Sequence, residues 1–282
     1  MLNNPVGIAA YFLLRNDWGW KLLSDDEKAI IHQANQDHNV GRDDYKSPEE
    51  YGAERFEGGE SWDNYTSENH GLRGETIAKV LEHNKPANVL EIGPGSGFYT
   101  RQIAASESVT NMTLLDIGAA FLNFLKPRLE ILSEQKPDFK YGLIVKDAKD
   151  LDSAEHTYDM VFMSSAVHHI PDRVALFDNL ARLVRPGGVI LCFDPSHYLE
   201  RIVRLLKRFR SSGFLTKSYY MKRTNLSTHH MCTYGEYKKI CKSTGAFAID
   251  DVSYVPSIKL GTLAKVSQRW ASTEIFVTLR RF

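Results

Sequence analysis

Glu91, Gly93, Gly95 and Gly97 alternate through Val89-Leu90-Glu91-Ile92-Gly93-Pro94-Gly95-Ser96-Gly97-Phe98, so an apolar run ending in an acid feeds directly into a glycine-rich turn. Glycine lets a backbone double back sharply and bring bare N–H and Cα groups against a ligand, which is the chemistry of a cofactor-binding turn. A second apolar run, Asn111 to Leu115, ends in Asp116, where a strand would deliver a carboxylate to paired ribose hydroxyls. A histidine pair, His168-His169, follows another apolar run, Tyr158 to Met163. Imidazole titrates near neutral pH, which suits removal of a proton from an acceptor.

These residues need a scaffold that brings three strand ends together. Short apolar runs at 88–92, 112–116, 141–145, 158–163 and 188–193 alternate with helix-like stretches at 98–106, 118–133 and 173–184. That alternation predicts a parallel sheet with helices on both faces. Residues 247–255 and 274–279 supply two more strands, giving an α/β, Rossmann-like, doubly wound sheet of seven strands. The glycine spacing departs from the dinucleotide fingerprint G-x-G-x-x-G, because Phe98 stands where its third glycine belongs and Gly97 comes one residue early.

The pattern Glu91-x-Gly93-x-Gly95-x-Gly97 resembles motif I of the class I S-adenosylmethionine (SAM) dependent methyltransferases. Four further segments agree in order. The second strand ends at Asp116, and Lys146-Asp147-Ala148 is similar to the family's adenine-edge motif. Tyr158 to Asp172 looks like the fourth strand with its active-site segment, and Leu183-Val184-Arg185-Pro186-Gly187-Gly188 resembles the turn into the fifth. The resemblance is tight from Ala87 to Phe193 and looser at the end of the chain. It implies that the cofactor is SAM, with Glu91 helping to hold the ammonium of its methionine part and Gly93, Gly95 and Gly97 forming the turn. It further implies Asp116 on the ribose, Ile117 against the adenine ring, Asp147 and Ala148 at the adenine edge, and Ser164 by the methionine part.

The resemblance also implies a role for the histidines, since some members use a histidine after the fourth strand as base. Adjacent residues are expected to point apart, so only one is read as catalytic, His169 ahead of His168. The competing reading is that one caps a helix or packs on the cofactor. His229, His230 and Tyr234 are the rivals. Asp159 is read as a structural residue at the start of its strand.

Outside the core, residues 1–85 form a helical and loop cap, with Ser24-Asp25-Asp26-Glu27 opening a helix over 25–35 and a second helix over 72–83. Trp62 and Tyr65 are candidates to line the substrate pocket or to anchor a surface loop. Residues 86–195 are the SAM-binding core, 196–245 a basic helical lid inserted between strands 5 and 6, and 246–282 the last two strands. Within the lid, Ile202, Leu205, Leu206 and Phe209 recur at helical spacing opposite Arg201, Arg204, Lys207 and Arg208. A helix over 199–210 packed on the acidic N-terminal region is favoured over contact with a membrane surface; recognition of an anionic substrate is a third reading.

Composition sets outer bounds. The 282 residues carry no net charge, with 43% hydrophobic and 25% charged residues, values of an ordinary globular protein and not of a bulk nucleic-acid binder. No apolar run approaches the ~20 residues that span a bilayer. Cys192, Cys232 and Cys241 form no C-x-x-C pair, which favours reduced thiols and a cytoplasmic setting, and His229-His230-Met231-Cys232 lacks the separated ligand pairs of a zinc site, so no metal is expected. The expected activity is O- or N-methylation of a small-molecule acceptor. Methylation of protein or RNA, and SAM binding without catalysis, stay open, whereas a nicotinamide oxidoreductase fits the glycine spacing poorly.

Overall fold

The computed structural model describes residues 21, 23–26, 28–29, 61–66, 71–151, 157–170, 173–196, 232–256 and 272–282. Helix α1 (Gly71–Asn84) precedes strand β1 (Asn88–Ile92). The chain then runs through α2 (Phe98–Ala105), β2 (Asn111–Asp116), α3 (Ala119–Gln135), β3 (Lys140–Val145), β4 (Tyr158–Ser164), α4 (Arg173–Leu183) and β5 (Val184–Pro195). Further along the chain come α5 (Tyr234–Thr244), β6 (Phe247–Pro256) and β7 (Ser272–Arg281).

The seven strands form one sheet in the order β3-β2-β1-β4-β5-β7-β6. The pairs among β1 to β5 are parallel, while β7 runs antiparallel to both β5 and β6. Strand order therefore reverses beside β1, the switch point at whose carboxyl edge open α/β sheets bind their ligands.

Apolar side chains leave both faces of the sheet, which explains why β1 and β4 read as continuous hydrophobic runs. On one face Val89, Leu114, Met160, Phe162, Phe193 and Phe276 pack with Ile77 of α1, Ile103 of α2 and Leu122, Leu125 and Leu129 of α3. On the other, Leu90, Val161, Met163, Cys192 and Val277 pack with Leu176, Phe177 and Leu180 of α4 and with Tyr237 and Ile240 of α5. Side chains alternate along each strand, so a residue's parity decides which of the two layers it enters.

The main differences from the sequence-based boundaries lie at two junctions. Residues 184–188 belong to β5, and the register against β4 jumps from Tyr158↔Val184 to Met160↔Val189, so the Pro186-Gly187-Gly188 turn is an irregularity within a strand. Gly187 has φ +78, and a Cβ on Gly188 would lie 2.9 Å from the carbonyl oxygens of both Arg185 and Asp159. The second is Tyr234–Thr244, which falls within the 196–245 stretch read as lid. Its Tyr237 and Ile240 are buried in the same cluster as α4 and β6, so this helix covers the sheet. Likewise α1, assigned to the N-terminal cap, buries Ile77 and Leu81 on the opposite face.

Of the helix expected over 25–35, Asp25, Asp26, Lys28 and Ala29 are helical, and the Lys28 N–H donates to the Ser24 carbonyl at 3.0 Å. Residues 199–210, where a basic helix is expected, and His229 and His230 lie outside the described residues. Among the described residues no helix is long and apolar enough to cross a membrane.

Candidate functional site

Strand register places the predicted ligand residues side by side. Ile92 is paired with Leu115 of β2 and with Met163 of β4, so Gly93, Asp116 and Ser164 emerge from three adjacent strands at one carboxyl edge. Lys146 at the end of β3 joins them by donating its N–H to the Asp116 carbonyl at 3.0 Å.

The glycine turn is held from both sides. Gly93, Gly95 and Gly97 all have positive φ, at +73, +55 and +78. The Gly93 N–H donates to Leu115 O at 2.8 Å and the Gly97 N–H to Pro94 O at 3.0 Å. A Cβ on Gly97 would fall 2.2 Å from Leu125 Cδ2, whereas one on Gly95 would meet nothing within 4 Å among the described residues. The turn thus presents Gly95 to open space and presses Gly97 into the core.

Behind it Glu91 is buried, and its Oε2 has no hydrogen-bond partner among the described residues. Burial raises the carboxyl to about 8; the neighbouring Thr100 hydroxyl opposes the shift and the Asp116 charge adds to it. A buried acid left in this condition fits a cationic ligand group, which would supply the missing partner and draw out the proton.

Asp116 is buried, and its Oδ1 accepts the Gly118 N–H at 2.9 Å. Ile117 beside it is 48% exposed, an apolar surface open to a flat ring. Asp147 is half-buried after β3, and Ala148 packs into the apolar cluster under the sheet, so only the backbone of Ala148 is placed to reach a ligand. Ser164 Oγ accepts from Arg73 Nη1 at 3.0 Å, and the same guanidinium pairs with Glu274 of β7.

The two histidines occupy a 3-10 turn, Val167–His169, after β4. The expectation that they point apart is corrected here, because their ring centroids lie 4.1 Å apart with planes tilted by 37°. Strict alternation belongs to extended strands, and a tight helical turn lets neighbouring rings lie against one another. His168 is buried, and its Nδ1 lies 2.9 Å from Asp194 Oδ1; His169 is half-buried. Preceding them, Ser165 has φ +55, a conformation uncommon for a residue with a side chain, and its N–H donates to Phe193 O at 2.6 Å.

Several residues were not found by sequence. Asp194, Tyr237 and Arg73 are joined to the site only by contacts between distant segments. Trp62 lies in the apolar cluster packed against Gly97, and its backbone N–H donates to Ser96 O at 2.9 Å. Trp62 therefore anchors the segment to the glycine turn. Tyr65 meets the Phe98 ring edge-on with centroids 5.1 Å apart, and Tyr234 begins α5 packed against the core.

Residues 90–192 match the family described as a methyltransferase domain, which spans β1 to β5 and every predicted cofactor residue. The chain carries a class I SAM-dependent methyltransferase domain, and the cofactor of that class is SAM. Malonyl-[acyl-carrier protein] O-methyltransferase 1 of Ilyobacter polytropus is 26% identical over 171 residues, which cover 61% of this chain and 54% of that protein. A hybrid PKS-NRPS synthetase of Penicillium citrinum is 31% identical over 128 residues, 45% of this chain and 3% of the synthetase. The chain thus spans about half the length, or far less, of these relatives.

Solved structures share the fold. Phosphoethanolamine N-methyltransferase 2 of Haemonchus contortus, in complex with SAM, superposes with a TM-score of 0.50 at 18% identity, covering 73% of this chain and 52% of that one. N-methyltransferase NodS of Bradyrhizobium japonicum, in complex with S-adenosylhomocysteine, gives 0.50 at 13% identity over 84% of this chain and 99% of that one.

Proposed function

We propose that this chain methylates a small-molecule acceptor on oxygen or nitrogen, with SAM as donor. The observation that carries the reading is the buried Glu91 Oε2, without a hydrogen-bond partner among the described residues, behind a turn in which a Cβ on Gly95 would meet none of them within 4 Å. Bound SAM supplies an electrophilic methyl carbon that an acceptor lone pair attacks in line with the departing sulfur.

The chain's own part is to hold and orient. Gly93, Gly95 and Gly97 let the backbone approach the ligand, Glu91 faces its ammonium, Asp116 accepts from the ribose hydroxyls, and Ile117, Asp147 and Ala148 flank the adenine. Ser164, fixed by Arg73, lies at the methionine end. A histidine of the His168-His169 pair takes the acceptor's proton. The free cysteines Cys192, Cys232 and Cys241 support a cytoplasmic setting.

A second reading, in which the acceptor is an acyl group carried on a protein, is supported by the resemblance to the malonyl-[acyl-carrier protein] O-methyltransferase. Calorimetric titration with SAM, S-adenosylhomocysteine and NADH tests the cofactor first. Micromolar binding of the first two and none of NADH is expected; no binding of either by folded protein refutes the proposal. Release of S-adenosylhomocysteine over a panel of hydroxyl, amine and acyl-carrier acceptors then separates the two readings.

A further inference from the structure

A buried hydrogen-bonded chain runs from the histidine turn through the sheet to α5. Asp194 of β5 is 0% exposed. Its Oδ1 lies 2.9 Å from His168 Nδ1 and accepts the His168 backbone N–H at 3.2 Å. Its Oδ2 accepts the Tyr237 hydroxyl at 2.9 Å. Both oxygens are thus occupied, and side-chain parity explains the convergence. Asp194 shares its face with Cys192, in the layer that α4 and α5 cover, while Phe193 points to the other.

Charged and titratable groups from α4, α5 and β5 pack around this chain. Arg173 of α4 is buried, and its guanidinium lies 3.6 Å from Glu236 of α5. Burial works to lower Arg173, but the acidic groups around it, Cys232 and Glu236 ahead of Asp194 and Tyr237, raise it on balance and keep it protonated. Burial raises Glu236, against the pull of Arg173. Cys192, Cys232 and Tyr237 are all pushed up by burial and stay neutral. His169 completes the surroundings, its ring lying against that of His168.

We infer that Asp194 and Tyr237 are positioning residues that make His168 the base, and that α5 is thereby part of the catalytic machinery. This rests on the proposed methyl transfer. A carboxylate at Nδ1 holds the proton on that nitrogen, so the lone pair sits on Nε2, and the imidazolium formed there is stabilised by the charge behind it. The acceptor's proton passes to the Nε2 lone pair as a lone pair of the acceptor oxygen forms the new bond to the methyl carbon, the C–S electron pair stays with sulfur, and the imidazolium afterwards returns the proton to solvent. Such a base serves an acceptor whose proton must leave for attack to proceed, a phenol or enol hydroxyl being the fitting class. A neutral amine already has its lone pair available and needs no prior deprotonation.

The test uses the full chain, 15N-histidine labelled and saturated with S-adenosylhomocysteine, with His168 identified by its loss in His168→Gln. Long-range proton–nitrogen spectra are expected to show His168 protonated on Nδ1, titrating above the ordinary histidine value. Asp194→Asn should lower that midpoint by about one pH unit or more, and Tyr237→Phe, which withdraws a donor from the carboxylate, should raise it. His168 protonated on Nε2, or a midpoint unmoved in Asp194→Asn, overturns the inference.

The kinetic arm uses the acceptor panel with phenols included. Asp194→Asn should reduce kcat on the order of 10²-fold with the SAM KM unchanged, and Asp194→Glu should recover part of the loss. Turnover with phenols in which Asp194→Asn matches the wild type in rate and pH profile also overturns it. Absence of turnover on every acceptor counts against the methyltransferase proposal, while the spectra still decide whether the relay exists.

Discussion

Gly97 and Leu125 are in such close contact that a Cβ on the glycine would come within 2.2 Å of Leu125 Cδ2. The third glycine of the turn is therefore a packing residue, wedged between the N-terminus of α2 and the middle of α3. The second is of the opposite kind, since none of the described residues lies within 4 Å of a Cβ built on Gly95. Substitutions at the two sites should separate. Gly97→Ala forces Leu125 aside and places a side chain at φ +78, and should cost about 3 kcal/mol of stability. Gly95→Val should fold with a smaller loss, set by its positive φ, yet abolish SAM binding by filling the ligand side. Denaturant unfolding and calorimetry on both variants check the pair. Equal stability losses would remove the distinction.

Sequence reading found the five parallel strands because the centre of each is a short, mainly apolar run closed by a turn signal, although β5 starts four residues earlier than the expected 188. Helix α5 falls within the stretch read as lid because Lys238, Lys239 and Lys242 continue the basic character of the preceding segment. Its boundaries were nonetheless written in the chain. Thr233 accepts the Glu236 N–H at 3.3 Å as N-cap, and Gly245 ends the helix at φ +62. A Thr-x-x-Glu start and a terminal glycine are readable signals. Asp194 was not legible in the same way. Its partners His168 and Tyr237 are 26 and 43 residues away, and no local spacing encodes a contact that the sheet creates.

Asp159 bears out its reading as a structural residue. Its Oδ2 accepts the N–H groups of Ala87 at 2.8 Å and Asn88 at 2.7 Å, and its Oδ1 pairs with Arg185. Burial works to raise this carboxyl, but Arg185 and the two backbone donors hold it below the usual range. A depressed carboxylate contributes stability that is complete above the unfolded-state value of about 3.9 and is lost as pH falls through the lower folded value. Asp159→Ala should cost about 2 kcal/mol near neutral pH, less in acid, and leave SAM affinity unchanged. Urea unfolding at pH 7 and pH 3 measures the difference.

Arg73 ties α1 to the active edge, donating from Nε to Glu274 Oε2 at 3.0 Å and from Nη1 to Ser164 Oγ at 3.0 Å. The pair is largely shielded, with side-chain exposures of 15% and 26%. Removing either partner leaves a partly buried charge. Arg73→Ala and Glu274→Ala should each destabilise by about 2 kcal/mol, while the double variant should fall short of their sum by about 1 kcal/mol. Additive losses would show that the two side chains act independently.

Glu91 offers a signature of cofactor binding that needs no acceptor. In the free protein burial holds its carboxyl at about 8, so at pH 7 it is mostly protonated. An ammonium group brought against it favours the carboxylate, and the proton must leave as the ligand arrives. The bound form therefore has the lower pKa. Affinity should rise with pH between the bound and free values and level off above about 8. Calorimetry at pH 7 in buffers of different ionisation enthalpy should report close to one proton released per SAM bound. Glu91→Gln, neutral at every pH, should release none and bind about 10- to 100-fold more weakly, the loss of a charge-assisted hydrogen bond. Proton release that persists in Glu91→Gln would assign it to another group, with Asp116, the charge that helps to raise Glu91, as the first to examine.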